Sequence, residues 1–401
     1  MKKVVNEAMG IQAELVNHRR FLHQNAEIGM ELPVTTDFVK AELIKMGYEP
    51  QEICQSGVVA TVGGKKPGKV ILLRADMDAL PVVEETDEIF KSSNGNMHAC
   101  GHDFHTTMLL GAAKLLKQRE GEIEGTVKLM FQPAEELLQG AKAMVNAGIL
   151  ENPKVEAAVM IHVMTGFPMP SGTIILPDPG PSSAASDWFE IKIQGKGGHG
   201  AMPNTTVDPL NVLSHVHIAL QSINSREITP TDSAVVTVGM MRGGKTSNVI
   251  PDTAEMQGTI RTFSKENREF IPERVKDIAE GTARTFRAEA EVKIIKGCPS
   301  MVNDQSVLES TREALVESFG AESIVSMSDL MPGGGKIMGS EDFSFVSNEV
   351  PSLMMSLATG NSNDGYIYPM HHPKARFDES ALYKGAAAYA NSAMYWLSNN
   401  K

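Results

Sequence analysis

The segment MHACGHDFHT (97–106) places a cysteine and three histidines within ten residues of a 401-residue chain that has only 3 Cys and 11 His. Thiolate and imidazole are ligands for zinc and related divalent ions. Cys100 and His102 stand two apart, and a turn there aims both side chains at one point. The plain alternative is a small buried thiol and a structural imidazole. FQPAEE (131–136) follows an apolar run, and adjacent carboxylates at the end of a buried strand are costly unless positive charge meets them. One Glu then ligates a metal while the other holds the proton of an attacking water; otherwise the pair is solvated at a helix start. His162 interrupts the apolar run VMIHV and needs a partner for at least one ring nitrogen. In MHHPKARFDES (370–380) His371 and His372 precede a proline that holds the loop extended, so that one is a ligand and the other lies on the surface. Cys, Glu and three His together match a pair of ions about 3.5–4 Å apart, as in cocatalytic hydrolases. The Cys100 thiolate would bridge them.

These residues need a scaffold, and the spacing predicts one. VVATVGG (58–64), VILLRADM (70–77), TVKLMFQP (126–133) and AAVMIHV (157–163) read as strands, with TTMLLGAAKLLKQ (106–118) as a helix beginning near Thr106. Such alternation indicates an α/β sheet with helices on its faces, where sites collect at strand ends. The Pro, Gly, Ser and Ala of PDPGPSSAASD (177–187) mark a boundary. Beyond it, strands at 188–195, 234–241, 253–263 and 290–297 alternate with helices at 208–223 and 265–286, which is the βαββαβ order of a ferredoxin-like domain. A helix at 307–320, a strand at 351–358 and a closing Ala-rich helix resume the first pattern. We therefore expect a discontinuous catalytic domain, 1–184 and 298–401, with an insert at 185–297.

Length above 300 residues favours two domains, and 42 % hydrophobic with 21 % charged residues is a globular balance. A net charge of −12 argues against nucleic acid and anionic membrane surfaces, leaving a small molecule as the expected partner. The segment MKKVVNEAMGIQAELVNHRR reads as an amphipathic helix rather than a signal peptide, and no window reaches a membrane span. Cys54, Cys100 and Cys298 are odd in number and scattered, which suits reduced thiols in a cytoplasm.

LLRADMDALPVVE, MHACGHDFHTTMLLGAAKLL, FQPAEE, GKGGHGAMPN, SNVIPDTAEMQGTIRTF, GSEDFSF and HHPKARFDE together resemble the dinuclear metal amidohydrolases and peptidases that include aminoacylases, hippurate hydrolase and auxin-conjugate (IAA-amino acid) hydrolases. The motifs occur in order over nearly the whole chain. The resemblance implies a mixed-sheet α/β/α, zinc-peptidase-like catalytic domain with the ferredoxin-like insert as lid and dimerisation domain. It implies Cys100, His102, Glu136, His162 and His371 as ligands of two divalent ions, Zn first, with Mn, Co or Ni as alternatives. Glu135 is then the general base, and His199 the donor to the developing oxyanion. Asn248 and Arg261 would hold the substrate carboxylate, a task suited to a guanidinium fork. Asp76, Asp78, His98, Asp103 and His105 would orient ligands rather than ligate. Ala375 and Arg376 depart from the apolar or aromatic residues expected beside the C-terminal ligand.

The implied reaction is metal-dependent hydrolysis of N-acyl-L-amino acids to a carboxylic acid and a free amino acid, in a homodimer or dimer-based oligomer. A dipeptidase or carboxypeptidase of the same family is the alternative. A non-catalytic binder on this fold would have lost a ligand or the base, and this chain keeps them all.

Overall fold

The computed structural model describes residues 1–331 and 335–400. The chain forms two compact units, one of Met1–Gly180, Val302–Gly335 and Asp342–Lys401, the other of Pro181–Met301 and Lys336–Glu341.

An eight-stranded mixed sheet organises the first unit. Its order is Gln51–Cys54, Gly57–Gly63, Thr126–Gln132, Val70–Asp76, Ala157–Met164, Ser352–Ala358, Ile174–Leu176 and Ile324–Ser326. The Val70–Asp76 strand is buried at every position, the pattern of a parallel strand covered on both faces. The four strands from Thr126–Gln132 to Ser352–Ala358 run parallel as successive neighbours. They therefore end at one edge, which gathers the segments that follow them.

At that edge two strands part company. Arg74 and Met160 form the last register pair between Val70–Asp76 and Ala157–Met164. Beyond them the backbone N–H groups of Ile161 and Val163 have lost their strand partner, and buried N–H groups must be satisfied. Side chains do it. The Ile161 N–H donates to the Tyr389 hydroxyl at 2.8 Å, and that hydroxyl donates to the Arg74 carbonyl at 2.6 Å. The Val163 N–H donates to His105 Nε2 at 2.9 Å. The strands are thus held apart around a notch.

Tyr389 belongs to the C-terminal helix Leu382–Asn399, which packs on the helix His102–Gln118. Glycine makes the approach possible: a Cβ on Gly385 would lie 1.9 Å from Met108 Sδ, and one on Gly111 2.8 Å from Ala386 Cβ. The helix expected near Thr106 begins one turn earlier, at His102, because Gly101 supplies a left-handed N-cap with φ 87°. His102 therefore projects from the first helical turn instead of a loop.

In the second unit four antiparallel strands take the order Ala234–Gly243, Thr253–Thr262, Ala185–Gln194, Glu289–Lys296. Alternate residues Phe189, Ile191 and Ile193 form a core with Val212, Val216, Ile271 and Val275 of helices Pro209–Ser222 and Lys265–Thr285. Asp208 and Ser264 accept backbone N–H groups at the starts of these helices. The topology is ferredoxin-like, with one addition that the strand pattern did not signal: Gly198–His199 pairs with Val249–Ile250 as a separate two-residue ribbon. Among the described residues no helix is long and apolar enough to cross a membrane.

Replacing Tyr389 by Phe removes the buried hydroxyl that accepts the Ile161 N–H and donates to the Arg74 carbonyl. We expect destabilisation by about 1–3 kcal/mol, read as a lower urea midpoint with an unchanged slope.

Candidate metal centre

The notch at the sheet edge collects ligand-type residues from four segments. Cys100 Sγ lies 3.6 Å from His162 Nε2 and 3.3 Å from His371 Nε2. His371 Nε2 is 3.6 Å from Glu136 Oε1, and His102 Nε2 is 3.9 Å from Glu135 Oε2. The ligand-type atoms of Cys100, His102 and His162 lie within 4.8 Å of one another, as do those of Cys100, Glu136 and His371. Cys100 belongs to both groups. Two such groups sharing one sulfur suit a pair of ions with a thiolate between them.

The imidazoles are aimed by their far nitrogens. His102 Nδ1 donates to the Asp78 carbonyl at 2.8 Å and His162 Nδ1 to the Val163 carbonyl at 2.7 Å, which turns each Nε2 into the notch. The loop bearing the two glutamates hangs on Asp78, whose carboxylate accepts the N–H groups of Glu135 (2.9 Å) and Glu136 (3.1 Å). His371 adopts a left-handed backbone, φ 66°, and its N–H donates to the Ala99 carbonyl at 2.9 Å. That bond ties the C-terminal loop directly to the Cys100 turn. His372 faces elsewhere, stacked on Tyr368 with ring centroids 4.4 Å apart.

His102 Nε2 and Glu136 Oε1 are buried without a hydrogen-bond partner. Unpaired polar atoms are expensive in such a place, and a divalent cation bound there would satisfy both. The electrostatics agree. Burial pushes the Glu136 carboxyl up to about 7 and the Cys100 thiol far above its usual value. Burial opposes charge on His102, but Asp76 and Cys100 outweigh it and hold its pKa well above the ordinary value. In such surroundings protons and cations compete for the same donors, and ion binding releases protons. His105 is different: burial takes its pKa down to about 3, so the ring is neutral.

The remaining expected residues lie in the second unit. His199 is exposed on the short ribbon, where its Nδ1 accepts the Ala201 N–H at 3.1 Å. The neutral ring therefore carries its hydrogen on Nε2. Asn248 precedes the paired strand of that ribbon, and its carbonyl accepts the Gly200 N–H at 2.9 Å. Arg261 is half-buried on Thr253–Thr262, its guanidinium 5.9 Å from the Trp188 ring, and burial lowers its pKa. Of the two departures near the C-terminal ligand, Ala375 is buried and Arg376 donates to the Gly365 carbonyl at 2.9 Å.

The sequence profile of peptidase family M20/M25/M40 matches residues 72–395. The chain belongs to this family. It is 38 % identical over 390 residues to a Bacillus subtilis protein named N-acetylcysteine deacetylase, covering 96 % of this chain and 98 % of that one. It is 40 % identical to the Arabidopsis thaliana IAA-amino acid hydrolase ILR1-like 4, covering 96 % and 86 %. Among solved structures, the Bacillus subtilis YXEP protein, described as a dinuclear metal binding peptidase from the M20 family, superposes with a TM-score of 0.81. It is 34 % identical, covering 97 % of this chain and 99 % of that one. This M20 chain thus has a candidate metal site in a family with dinuclear metal binding.

Sequence reading did not single out Arg74, Gln132, Asp342 or Tyr389, which support the notch from behind. The available signal was a charged residue inside the apolar run VILLRADM.

Gly101 lies between Cys100 and His102, and a Cβ there would meet Val163 Cγ2 at 2.4 Å on top of its left-handed strain. We expect Gly101→Ala to cost at least the ~1–2 kcal/mol of a left-handed alanine, and to weaken zinc uptake in a chelator competition assay.

Proposed function

We propose that this protein is an N-acyl-amino-acid amidohydrolase, cleaving the amide to a carboxylic acid and a free amino acid. The observation that carries the reading is Glu135, a buried carboxylate 3.9 Å from His102 Nε2 at the edge of the paired donor groups. A deacetylase and an IAA-amino acid hydrolase among its relatives support the substrate class. Cys100, His102 and His162 would hold one ion and Cys100, Glu136 and His371 the other. When bound, the ions supply Lewis acidity that acidifies water and polarises the scissile carbonyl. The soft thiolate favours zinc, with Mn, Co and Ni as alternatives.

The chain's own groups do the rest. Glu135 takes the proton of the attacking water on a carboxylate oxygen and returns it to the leaving amine. Asp78, through the Glu135 N–H, keeps that carboxylate in place. His199 donates from Nε2 to the developing oxyanion. Asn248 and Arg261 hold the carboxylate of the substrate, Arg261 with the stronger, charge-assisted bonds. The ferredoxin-like unit is read as lid and dimerisation domain, and an odd, scattered set of three cysteines fits a cytoplasmic setting. For a dimer, light scattering should return twice the chain mass of 43.4 kDa.

The test is hydrolysis of N-acetyl-methionine, hippurate, N-acetyl-diaminopimelate and an indole-acetyl amino acid by metal-free protein reloaded with Zn or Mn. Amino acid release should require metal. Glu135→Gln should lose about 10²–10⁴-fold in kcat while elemental analysis still finds two ions, and His199→Ala about 10²–10³-fold. Full activity in Glu135→Gln would sink the mechanism. Release from dipeptides in preference to every acyl amino acid would favour the peptidase reading.

A further inference from the structure

Behind the notch lies a set of charged groups that no step of the proposed reaction uses. Arg74 is fully buried in the centre of the sheet. Its Nη2 donates to Asp342 Oδ1 at 3.0 Å, Nη1 to Asp76 Oδ2 at 2.7 Å and Nε to Gln132 Oε1 at 2.9 Å. Asp342, from GSEDFSF, is itself fixed by Gln132 Nε2 at 2.6 Å and by the Ala141 N–H at 2.9 Å. Every hydrogen bond of this lattice has a defined direction. A buried guanidinium between two carboxylates costs more desolvation than such a pair usually returns, so stability alone is a poor reason for it.

The lattice continues toward the ligands. Asp76 Oδ1 accepts from His105 Nδ1 at 2.5 Å, and His105 Nε2 accepts from the Val163 N–H at 2.9 Å. A backbone N–H can only donate, so the ring has one permitted tautomer, with hydrogen on Nδ1 and the lone pair on Nε2. Asp76 must then remain an acceptor, which the Arg74 charge enforces. Val163 is the residue whose carbonyl receives the Nδ1 hydrogen of His162. Its position therefore sets where His162 Nε2 points. The His105 ring also packs edge-on against the His162 ring, with centroids 4.7 Å apart.

We propose that Asp342, Arg74, Asp76 and His105 form a positioning relay that fixes His162 through Val163, and so governs the affinity of the Cys100–His102–His162 group selectively. The Cys100–Glu136–His371 group hangs on other anchors, the Asp78 carboxylate and the Ala99 carbonyl. Disturbing the relay should loosen one ion and spare the other. The proposal rests on the two-ion reading above.

The test is titration of metal-free, full-length protein with Co(II), followed by calorimetry and by thiolate-to-cobalt absorption, with circular dichroism of the metal-free state as the check on folding. Wild type should take up two equivalents. His105→Leu should weaken one equivalent about 10–100-fold, the usual cost of losing a group that orients a ligand, and leave the other in place. His105→Gln, whose amide oxygen reaches the place of Nε2, should restore most of that affinity. Asp342→Asn should weaken the same equivalent, and combining it with His105→Leu should add little, because the two act along one line. Unchanged binding in His105→Leu, equal weakening of both equivalents, or full additivity with Asp342→Asn would each overturn the relay. If His105→Leu does not fold, unchanged binding of both equivalents in folded Asp342→Asn overturns it just as surely. Fewer than two equivalents in wild type would refute the two-ion reading itself, and the relay with it.

Discussion

Crowded negative charge is the constraint on which this site is built. Asp76, Asp78 and Glu135 are buried, with Glu136 and the Cys100 thiol beside them. Carboxylates out of water repel one another and favour protonation unless something positive or hydrogen-bonding meets each of them. The chain divides that task. Arg74 meets Asp76 and Asp342, and the N–H groups of two successive residues meet Asp78. The atoms left facing the notch, including Glu136 Oε1 and His102 Nε2, are the ones suited to cations.

The same division explains the shape of the sheet edge. Were the Val70–Asp76 and Ala157–Met164 strands paired to their ends, backbone would fill the space that His105 and Tyr389 occupy. Side chains there carry the hydrogen bonds that a strand would otherwise make, and they have a second end. The Tyr389 hydroxyl bridges the Ile161 N–H to the Arg74 carbonyl, and His105 uses its other ring nitrogen to hold Asp76. The point where the fold stops being regular is therefore where one secondary-structure bond can be linked to another group's orientation.

Much of the candidate site was legible because polar residues in apolar runs are conspicuous. His162 inside VMIHV and Glu135–Glu136 after TVKLMF violate the local pattern, and such violations gather at functional places. The alternation of helices and strands likewise announced an α/β sheet with its motifs at strand ends. Other features depended on the fold. The resemblance selected His371 over His372, but what places His371, a left-handed backbone and one bond to Ala99, is not visible in the string HHP. Arg74 is a comparable irregularity in its strand, but its partner Asp342 lies 268 residues away. The early start of the His102 helix hinged on Gly101, whose left-handed conformation a sequence does not display.

The reach of Tyr389 and His371 also orders events in time. The notch draws on residues from Arg74 to Tyr389, so it cannot exist while the nascent chain is short. Its contacts are among the longest-range in the molecule, and such contacts form late because a long loop must close before they are made. Until the last helix docks, the Cys100 thiol and its neighbouring imidazoles are unassembled donors on an incomplete sheet. A candidate site of this spacing is thereby whole only once residues from Arg74 to Tyr389 have come together.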